Sequence, residues 1–583
     1  MKRRLTILII IISFGTILFL VLTGRDTGRI VPWLPDTSLP VRKLPAQNKS
    51  VAARPAPSST LPIAGREQDP EPPKPPLERP EVDPPESNVS EAGAIPGEYV
   101  LSFDNKKDLL TCLTLASLHG IEIVEIGNFG HTVRLRVKNR AMLYDLLDES
   151  PVPEDFGPNY FVYTPDPPDQ HPLAPQTGYM GFGNRALEWL GVPSDHATWG
   201  RGFTVAVLDS GVASHPALAE QNISRKSFLN HEISDVPTYG RHGTSVASII
   251  AGTSPDLLGV APGANILSIQ VLSSEGVGNT FTLAEGIIAA VNHGAQVINL
   301  SLGTVGDSFI LHDAINYALE HEVAVVAATG NDALEDLLYP ARYTGVLAVA
   351  GVDARSEHLY FSNRGPEIDI AAPAIAVNAA LPGDDIGSFS GTSVAVPFVS
   401  GALAWLMADN PDMTAAEAAA VLLAHANDVG EPGPDEKTGH GVLDIGRVLE
   451  RNNPGIYDMA LVSPYISPLG AENDKAFGVV VFAQNRGTEM LNRVEFEVRI
   501  EGMQYLQTFY DVAVGKIISQ EFLLNKDEIH MAGQIGISAS TILDGVKDVR
   551  PDNNQSNWMI TFQDQSRLNP ESSSQGRDRE EFN

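Results

Sequence analysis

Three polar residues, each in a turn beside an apolar stretch, could together perform nucleophilic catalysis. Asp209 follows the buried-strand pattern of residues 203–208, His242 begins an amphipathic stretch, and Ser393 lies in a turn that runs into another apolar stretch. A serine hydroxyl is a weak nucleophile until a base takes its proton, and a carboxylate holds an imidazole base in the required tautomer. Singly, such residues are most often turn formers or helix caps. Together they predict nucleophilic catalysis by Ser393, with His242 as the base and Asp209 behind it.

The segments around these residues carry a more specific pattern. Asp209 begins the segment DSGVASHP, His242 begins HGTSVA, and Ser393 lies in GTSVAVP. These segments resemble the three signatures of the subtilase family, in which the triad also follows the order aspartate, histidine, serine. The resemblance covers residues 170–450. It implies a serine endopeptidase that hydrolyses peptide bonds through an acyl-enzyme, with a protein or peptide as its partner.

The same resemblance implies further site residues. Asn331, which follows the strand pattern of residues 323–328, corresponds to the asparagine whose amide joins the backbone N–H of the nucleophile in an oxyanion hole. Two short backbone segments correspond to those that hold an extended substrate by strand addition. Their residues are Gly276, Val277 and Gly278 on one side, and Ser301, Leu302 and Gly303 on the other.

Leu338 bears on the choice of substrate. It precedes Tyr339-Pro340-Ala341, which resembles the family segment beside the pocket for P1, the substrate residue that supplies the scissile carbonyl. The position of Leu338 is often filled by a small residue in the family. A leucine there predicts a shallow pocket that favours small P1 residues.

Some positions depart from the family pattern. Ser245, Val394 and Val396 replace residues that are usual in the signatures, but none of the three handles the catalytic proton, so we expect activity. The loop between His242 and Gly259 is short and lacks the asparagine-rich stretch that ligates calcium in many relatives. The sequence therefore predicts neither a metal nor a cofactor, and it does not support a structural calcium ion.

Composition limits the class of protein. The chain has 583 residues, of which 43% are hydrophobic, so several packed domains are expected. Its 72 acidic and 40 basic residues give a net charge of −32, which argues against nucleic acid as a partner. The single cysteine, Cys112, excludes an intramolecular disulfide framework and any multi-thiolate metal site.

The first 24 residues predict a membrane anchor. Lys2, Arg3 and Arg4 precede an uncharged run over residues 5–23, which as a helix would span about 28 Å. The basic residues would keep the N-terminus in the cytoplasm and place the rest of the chain outside it. The alternative is a cleaved signal peptide, which would leave a secreted protein.

The remaining chain divides into five stretches. Residues 25–96 are rich in proline and predict a semi-rigid linker, and residues 564–583 predict a disordered tail. Residues 97–168 show a β-α-β-β-α-β order, typical of a ferredoxin-like α+β unit, and resemble the propeptide inhibitor of subtilases. Residues 169–452 alternate strands and helices, which predicts an α/β domain with a mostly parallel sheet. Residues 453–563 predict a β-sandwich that resembles CARDB-type, Ig-like modules.

These observations predict a membrane-anchored, extracytoplasmic subtilisin-like serine endopeptidase. We expect it to remove its own prodomain by a cut between about residues 163 and 178. For the C-terminal sandwich, recruitment of substrate, docking to an envelope partner and plain stabilisation all stay open. The competing hypothesis is a catalytically silent, membrane-anchored platform for protein binding. The sequence does not give the oligomeric state.

Overall fold

The computed structural model describes residues 7–13, 16–22, 92–165, 178–219, 222–229, 240–467, 476–525 and 534–561. Most of the predicted linker and the whole predicted tail lie outside these residues. The linker prediction ended too late, because the first strand of the N-terminal unit, Ala94–Ser102, includes its last three residues. Pro96 and Gly97 are accommodated in that strand because the pairing shifts register between Ala94 and Tyr99, and such irregularities tolerate both residue types.

Of the predicted membrane-spanning helix over residues 5–23, the structure describes residues 7–13 and 16–22, and both stretches are strands. Residues Ile7–Ser13 form strand β1, residues Thr16–Leu22 form β2, and the two pair as an antiparallel hairpin. The sequence of β1, ILIIIIS, is dominated by isoleucine. Outside a bilayer, β-branched residues favour strands over helices, which explains the difference.

Residues 92–165 form an N-terminal unit with two helices and four strands. The strands are antiparallel, in the order β6-β3-β5-β4. Cys112 is fully buried in the core of this unit, where burial raises the pKa of its thiol to about 11. The elements are β3 (Ala94–Ser102), α1 (Lys106–Leu118), β4 (Glu122–Ile126), β5 (Thr132–Arg136), α2 (Arg140–Glu149) and β6 (Asp155–Tyr163).

The next domain is an α/β domain built on a parallel sheet, as predicted. Its elements are α3 (Ala186–Trp189), β7 (Thr204–Asp209), β8 (Ile223–Ser227), α4 (Arg241–Ala251), β9 (Thr253–Ser254), β10 (Leu257–Leu258), β11 (Asn265–Gln270), β12 (Val277–Asn279), α5 (Thr280–Asn292), β13 (Val297–Leu300), α6 (Phe309–Glu320), β14 (Ala324–Ala328), β15 (Leu347–Val352), β16 (Ile370–Pro373), β17 (Val377–Leu381), β18 (Asp385–Phe389), α7 (Thr392–Asp409), α8 (Ala415–Ala424) and α9 (Ile445–Glu450). The seven-stranded sheet has the order β16-β15-β14-β13-β7-β11-β8, and its strands pair in parallel.

Both faces of this sheet are covered. Successive residues of β7 belong to different cores, because Val205 and Val207 pack with α4 and α7, whereas Ala206 and Leu208 pack with α5 and α6. Strands buried on both faces read as continuous apolar runs. The polar residues that follow β7 and β14 therefore emerge at the carboxyl edge of the sheet, where such folds place their sites.

Helix α7 is the central helix of this domain. Among the described residues it is the one helix long and apolar enough to cross a membrane, yet 89% of it is buried inside the protein. It packs against α4 and against strands β13 to β16. Its apolar character therefore reflects its position in the core.

The C-terminal domain consists of two antiparallel sheets around one core. The orders are β19-β20-β23-β1-β2, which includes the N-terminal hairpin, and β22-β21-β24-β25. Val479 and Phe522 of the first sheet share a buried cluster with Phe496 and Ile537 of the second. The strands are β19 (Met459–Ser467), β20 (Ala476–Asn485), β21 (Leu491–Ile500), β22 (Met503–Val512), β23 (Ile517–Asn525), β24 (Gln534–Leu543) and β25 (Gln555–Thr561).

Two arginines, Arg447 and Arg486, join this domain to the end of the α/β domain. Arg447 of α9 is 4% exposed and donates from Nη1 to the carbonyl oxygens of His425 and Ala426, and from Nε to the carbonyl oxygen of Arg486. Arg486 in turn donates to the carbonyl oxygen of Asp428 at 3.2 Å. Charge-assisted hydrogen bonds to backbone carbonyls therefore form part of this contact.

Candidate active site

Asp209 and His242 form the first pair of the site. Asp209 is the last residue of β7 and is fully buried, and its Oδ2 lies 2.7 Å from Nδ1 of His242. Its other oxygen accepts from the backbone N–H and the hydroxyl of Ser210, at 2.6 Å and 3.0 Å. The carboxylate is thus fixed from two sides and in turn fixes the imidazole.

The position of His242 depends on close packing at the start of α4. A Cβ at Gly243 would lie 2.2 Å from the carbonyl oxygen of Gly211, so only glycine lets the helix approach the end of β7 so closely. The ring of Phe389 meets the His242 ring edge-on, with centroids 5.1 Å apart. Helix packing and an aromatic contact therefore hold the imidazole in addition to Asp209.

Ser393 is the second residue of α7. Its Oγ and the Nε2 of His242 are both buried and lack a hydrogen-bond partner within the described parts of the chain. Buried polar atoms without partners are rare because each costs about 1–3 kcal/mol. The two atoms belong to a serine and to a histidine bound by a carboxylate. Their missing hydrogen-bond partners are consistent with a site in which a bound substrate interacts with both.

Asn331 emerges after β14 and faces the same space. Its Oδ1 accepts from the backbone N–H and the hydroxyl of Thr392, each at 2.9 Å, so its amide nitrogen must point the other way. A Cβ placed on Gly391 would lie 2.8 Å from this nitrogen and 3.2 Å from Ser393 Oγ. The amide and the hydroxyl therefore flank one small space, which Gly391 leaves open.

The two predicted substrate-binding segments lie on either side of one strand of the N-terminal unit. Residues 161–163, at the end of β6, pair antiparallel with β12, which contains Val277 and Gly278. Tyr163 exchanges two 2.9 Å hydrogen bonds with Gly303, which follows Ser301 and Leu302 at the end of β13. The N–H of Thr164 donates to the carbonyl oxygen of Gly276 at 3.0 Å.

The chain then reaches the amide of Asn331. Its Nδ2 donates to the carbonyl oxygen of Pro165 at 2.8 Å. We call the space between residues 276–278 and 301–303 the channel. A segment of the protein itself thus occupies the channel in the extended form that strand addition requires, and the carbonyl oxygen of Pro165 accepts a hydrogen bond from the Asn331 amide.

Leu338 lies beneath this channel, 2% exposed. A Cβ on Gly303 would lie 2.9 Å from its Cδ1, and a Cβ on Gly330 would lie 2.9 Å from its Cγ. The leucine therefore fills the space between the channel backbone and the residue that precedes Asn331.

Comparison with known proteins identifies the family of this chain. The sequence model of the subtilase family matches residues 200–441. The thermostable alkaline protease of Halalkalibacterium halodurans is 39% identical over 254 residues, which are 43% of this chain and 69% of that protein. The chain belongs to the subtilase family of serine proteases.

Two further relatives extend the comparison of this subtilase. Subtilisin Savinase of Lederbergia lenta is 41% identical over 215 residues, which are 36% of this chain and 78% of that protein. The crystal structure of fervidolysin from Fervidobacterium pennivorans, described as a keratinolytic enzyme related to subtilisin, has a TM-score of 0.54 at 21% identity. The superposition covers 81% of this chain and 77% of the fervidolysin chain, which shows that the two proteins share a fold.

Sequence reasoning missed two residues that serve this subtilase site, Thr392 and Pro165, and one contact of the predicted residue Ser301. Thr392, which orients the Asn331 amide, was visible only as the middle residue of GTS. The hydroxyl of Ser301 donates to the carbonyl oxygen of Ser393 at 2.9 Å, which ties the substrate channel to α7. Pro165 carried no signal, because the chain after Tyr163 has no periodic pattern.

The described parts of this subtilase contain no group of three or more histidine, cysteine, aspartate or glutamate side chains arranged to hold a metal ion. The short loop after α4, which suggested the absence of a calcium site, contains the two-residue strands β9 and β10, paired antiparallel. The independence from calcium stays a prediction.

Proposed function

We propose that this subtilase is an endopeptidase whose triad is Asp209, His242 and Ser393. The observation that carries the proposal is the 2.7 Å bond between Asp209 and His242 beside a carbonyl oxygen held on Asn331. In the first step Ser393 Oγ attacks the scissile carbonyl carbon while His242 Nε2 takes the hydroxyl proton. Asp209 keeps the imidazole in the tautomer that can accept this proton and stabilises the imidazolium that results.

The second half of the reaction uses the same residues. His242 gives its proton to the leaving amine, the C–N bond breaks, and an ester remains on Ser393. Water then adds to the ester with His242 again as base, which releases the acid and restores the serine. Asn331 and the backbone N–H of Ser393 donate to the oxyanion in both tetrahedral intermediates.

We propose that the substrate is an extended stretch of polypeptide with a small P1 residue. Gly276, Val277 and Gly278 on one side and Ser301, Leu302 and Gly303 on the other offer main-chain groups to any sequence. Selection then depends on side-chain pockets. Leu338 supports the preference for small P1 residues because it fills space that a large side chain would need.

We propose that residues 97–168 act as an inhibitor that the enzyme removes from itself. Besides the strand in the channel, Glu285 of α5 accepts hydrogen bonds from the backbone N–H and the side-chain amide of Asn128, at 2.8 Å and 3.0 Å. Asn159 accepts from the hydroxyl of Thr280 and the N–H of Phe281 at the start of the same helix, at 3.0 Å and 3.1 Å. While these contacts last, no other chain can enter the channel.

We also propose that residues 5–23 attach the enzyme to a membrane with its protease domain outside the cytoplasm. A bilayer favours helix for this run, because a helix satisfies every backbone group internally and an open hairpin does not. A variant lacking residues 2–24 should move from the membrane pellet to the soluble fraction, whereas the full chain should resist extraction with alkaline carbonate. Any role of the C-terminal domain in binding substrate or an envelope partner stays a prediction.

The central test is covalent labelling of the full chain with a fluorophosphonate, followed by peptide mass mapping. Wild type should be labelled at Ser393 and Ser393→Ala should not. The matched control is Ser388→Ala, which removes an exposed serine outside the site and should be labelled like wild type. A folded wild type that takes no label would instead favour the silent binding platform.

A further inference from the structure

The strand that fills the channel fixes which residue stands at the scissile position. Tyr163 and Gly303 form a hydrogen-bonded pair through both of their backbone groups. In an antiparallel ladder the next such pair lies two residues further on each strand, so Pro165 is opposite Ser301. The carbonyl oxygen of Pro165 is the one on the Asn331 amide, at 2.8 Å.

The surroundings of that carbonyl match those of a scissile bond. Thr392 turns the NH₂ group of Asn331 toward it, and Ser393 Oγ lies across the small space that Gly391 leaves open. The hydroxyl has no hydrogen-bond partner among the residues that the structure describes. Thr164, one residue earlier, is held through its N–H by the carbonyl oxygen of Gly276, and the Asn331 amide donates to the oxygen of Pro165.

We propose that the enzyme breaks its own chain at the Pro165–Asp166 bond, and therefore accepts proline as a P1 residue. This inference rests on the proposed triad and replaces the predicted interval of residues 163–178 by one bond. Ser393 Oγ adds to the Pro165 carbonyl carbon and passes its proton to His242. The bond to the Asp166 nitrogen breaks as His242 protonates that nitrogen, and water then hydrolyses the Pro165 ester to a free carboxylate.

Proline at this position has two physical consequences. It lacks an N–H, so the carbonyl of Ser301 gains no hydrogen bond from it, and an average bond of this kind is worth a several-fold change in rate. Its ring is also compact, which suits a pocket that Leu338 has filled. We therefore infer a cut that is slow but correctly placed, and a pocket that takes proline or alanine and rejects phenylalanine.

The first experiment follows the full chain by intact mass and N-terminal sequencing. Wild type should yield a fragment that begins at Asp166, and Ser393→Ala should stay whole. Pro165→Ala should give the same new N-terminus several-fold faster because it restores an N–H. Pro153→Ala, the same change in a loop of the N-terminal unit outside the channel, should process at the wild-type rate.

A second pair of variants tests the pocket directly. Pro165→Phe should slow cleavage at this bond at least tenfold, and adding Leu338→Ala should restore it, because the ring then has room. Rescue of one substitution by the other would not follow from misfolding. Failure of the double variant to recover, in protein that still labels at Ser393, would overturn the assignment of Pro165 to the pocket.

The remaining outcomes separate this inference from the proposed function. A new N-terminus elsewhere, with Ser393→Ala still whole, would refute the Pro165–Asp166 bond and leave the endopeptidase intact. Equal processing of wild type and Ser393→Ala would assign the cut to another protease. Absence of both processing and fluorophosphonate labelling would refute the proposed triad itself.

Discussion

Leu338 should determine which substrates this subtilase prefers, and the Leu338→Ala variant tests that role. The side chain is 2% exposed and separates Gly303 of the channel from Gly330. Removing its outer carbons opens a space directly beneath the P1 position. Burial of an aromatic P1 side chain there is worth about 1.5–3 kcal/mol, which corresponds to a gain of about 10- to 150-fold in kcat/KM.

The assay compares processed enzymes on a set of peptides that differ only at P1. Wild type should favour alanine and proline, and Leu338→Ala should shift toward phenylalanine by the factor above while its kcat/KM for alanine changes little. The matched control is Leu337→Ala, since Leu337 is also buried but lies against Gly365 instead of the channel. Both variants lose core packing, worth about 2–5 kcal/mol of stability, so only a change in preference distinguishes them.

Two results would contradict this reasoning. If Leu338→Ala keeps the wild-type order of P1 residues, the leucine does not limit the pocket. If Leu337→Ala gains phenylalanine activity equally, the gain comes from a loosened core and not from space at the P1 position.

Further predictions concern the oxyanion site and one buried carboxyl group. Asn331→Ala should lower kcat about 100- to 1,000-fold with KM little changed, the loss measured when a subtilisin lost such a donor; an unchanged kcat would exclude the role. Gly391→Ala should abolish peptide hydrolysis and, introduced into the Ser393→Ala background, should lower the melting temperature, because its Cβ would lie 2.8 Å from the Asn331 amide nitrogen and the φ of +130° disfavours any side chain; an unaltered rate of hydrolysis would contradict this. Burial raises the pKa of Asp428 from 3.8 to about 7. The protonated carboxyl group therefore stabilises the folded state fully below pH 3.8, and this stabilisation is lost as the pH rises through 7. The total loss is about 4 kcal/mol in the free energy of unfolding. In the same Ser393→Ala background, Asp428→Asn should therefore flatten the fall in unfolding free energy between about pH 4 and pH 7, and an unaltered fall would refute the shift.

The parts of this molecule that sequence reasoning could reach are those fixed by local pattern. Asp209, His242 and Ser393 follow or begin apolar stretches, and parallel topology brings such turns to one edge of the sheet. The structure indeed holds Asp209 and His242 at 2.7 Å. The membership in the subtilase family likewise followed from three short segments.

Other features depend on contacts that no local pattern encodes. The position of Pro165 depends on the register between β6 and β12, two strands that are far apart in sequence. The run over residues 5–23 is apolar enough for a membrane helix and branched enough for a hairpin, so composition alone could not separate the two. The orientation of the Asn331 amide depends on Thr392, whose neighbours in the chain give no hint of that bond.

The junction between the α/β domain and the C-terminal domain affects how well the protein resists cleavage by other copies of itself. Its exposed turn is tied down: the hydroxyl of Thr488 donates to the carbonyl oxygen of Asn453 at 2.6 Å, and the N–H of Gly455 donates to Glu489 at 2.8 Å. A protease that binds its substrate as an added strand needs several residues in extended form with free backbone groups. The chain here turns, and the N–H of Gly455 and the carbonyl oxygen of Asn453 are already hydrogen-bonded. We therefore expect other copies of the enzyme to cleave this domain boundary poorly, so that the two domains stay joined.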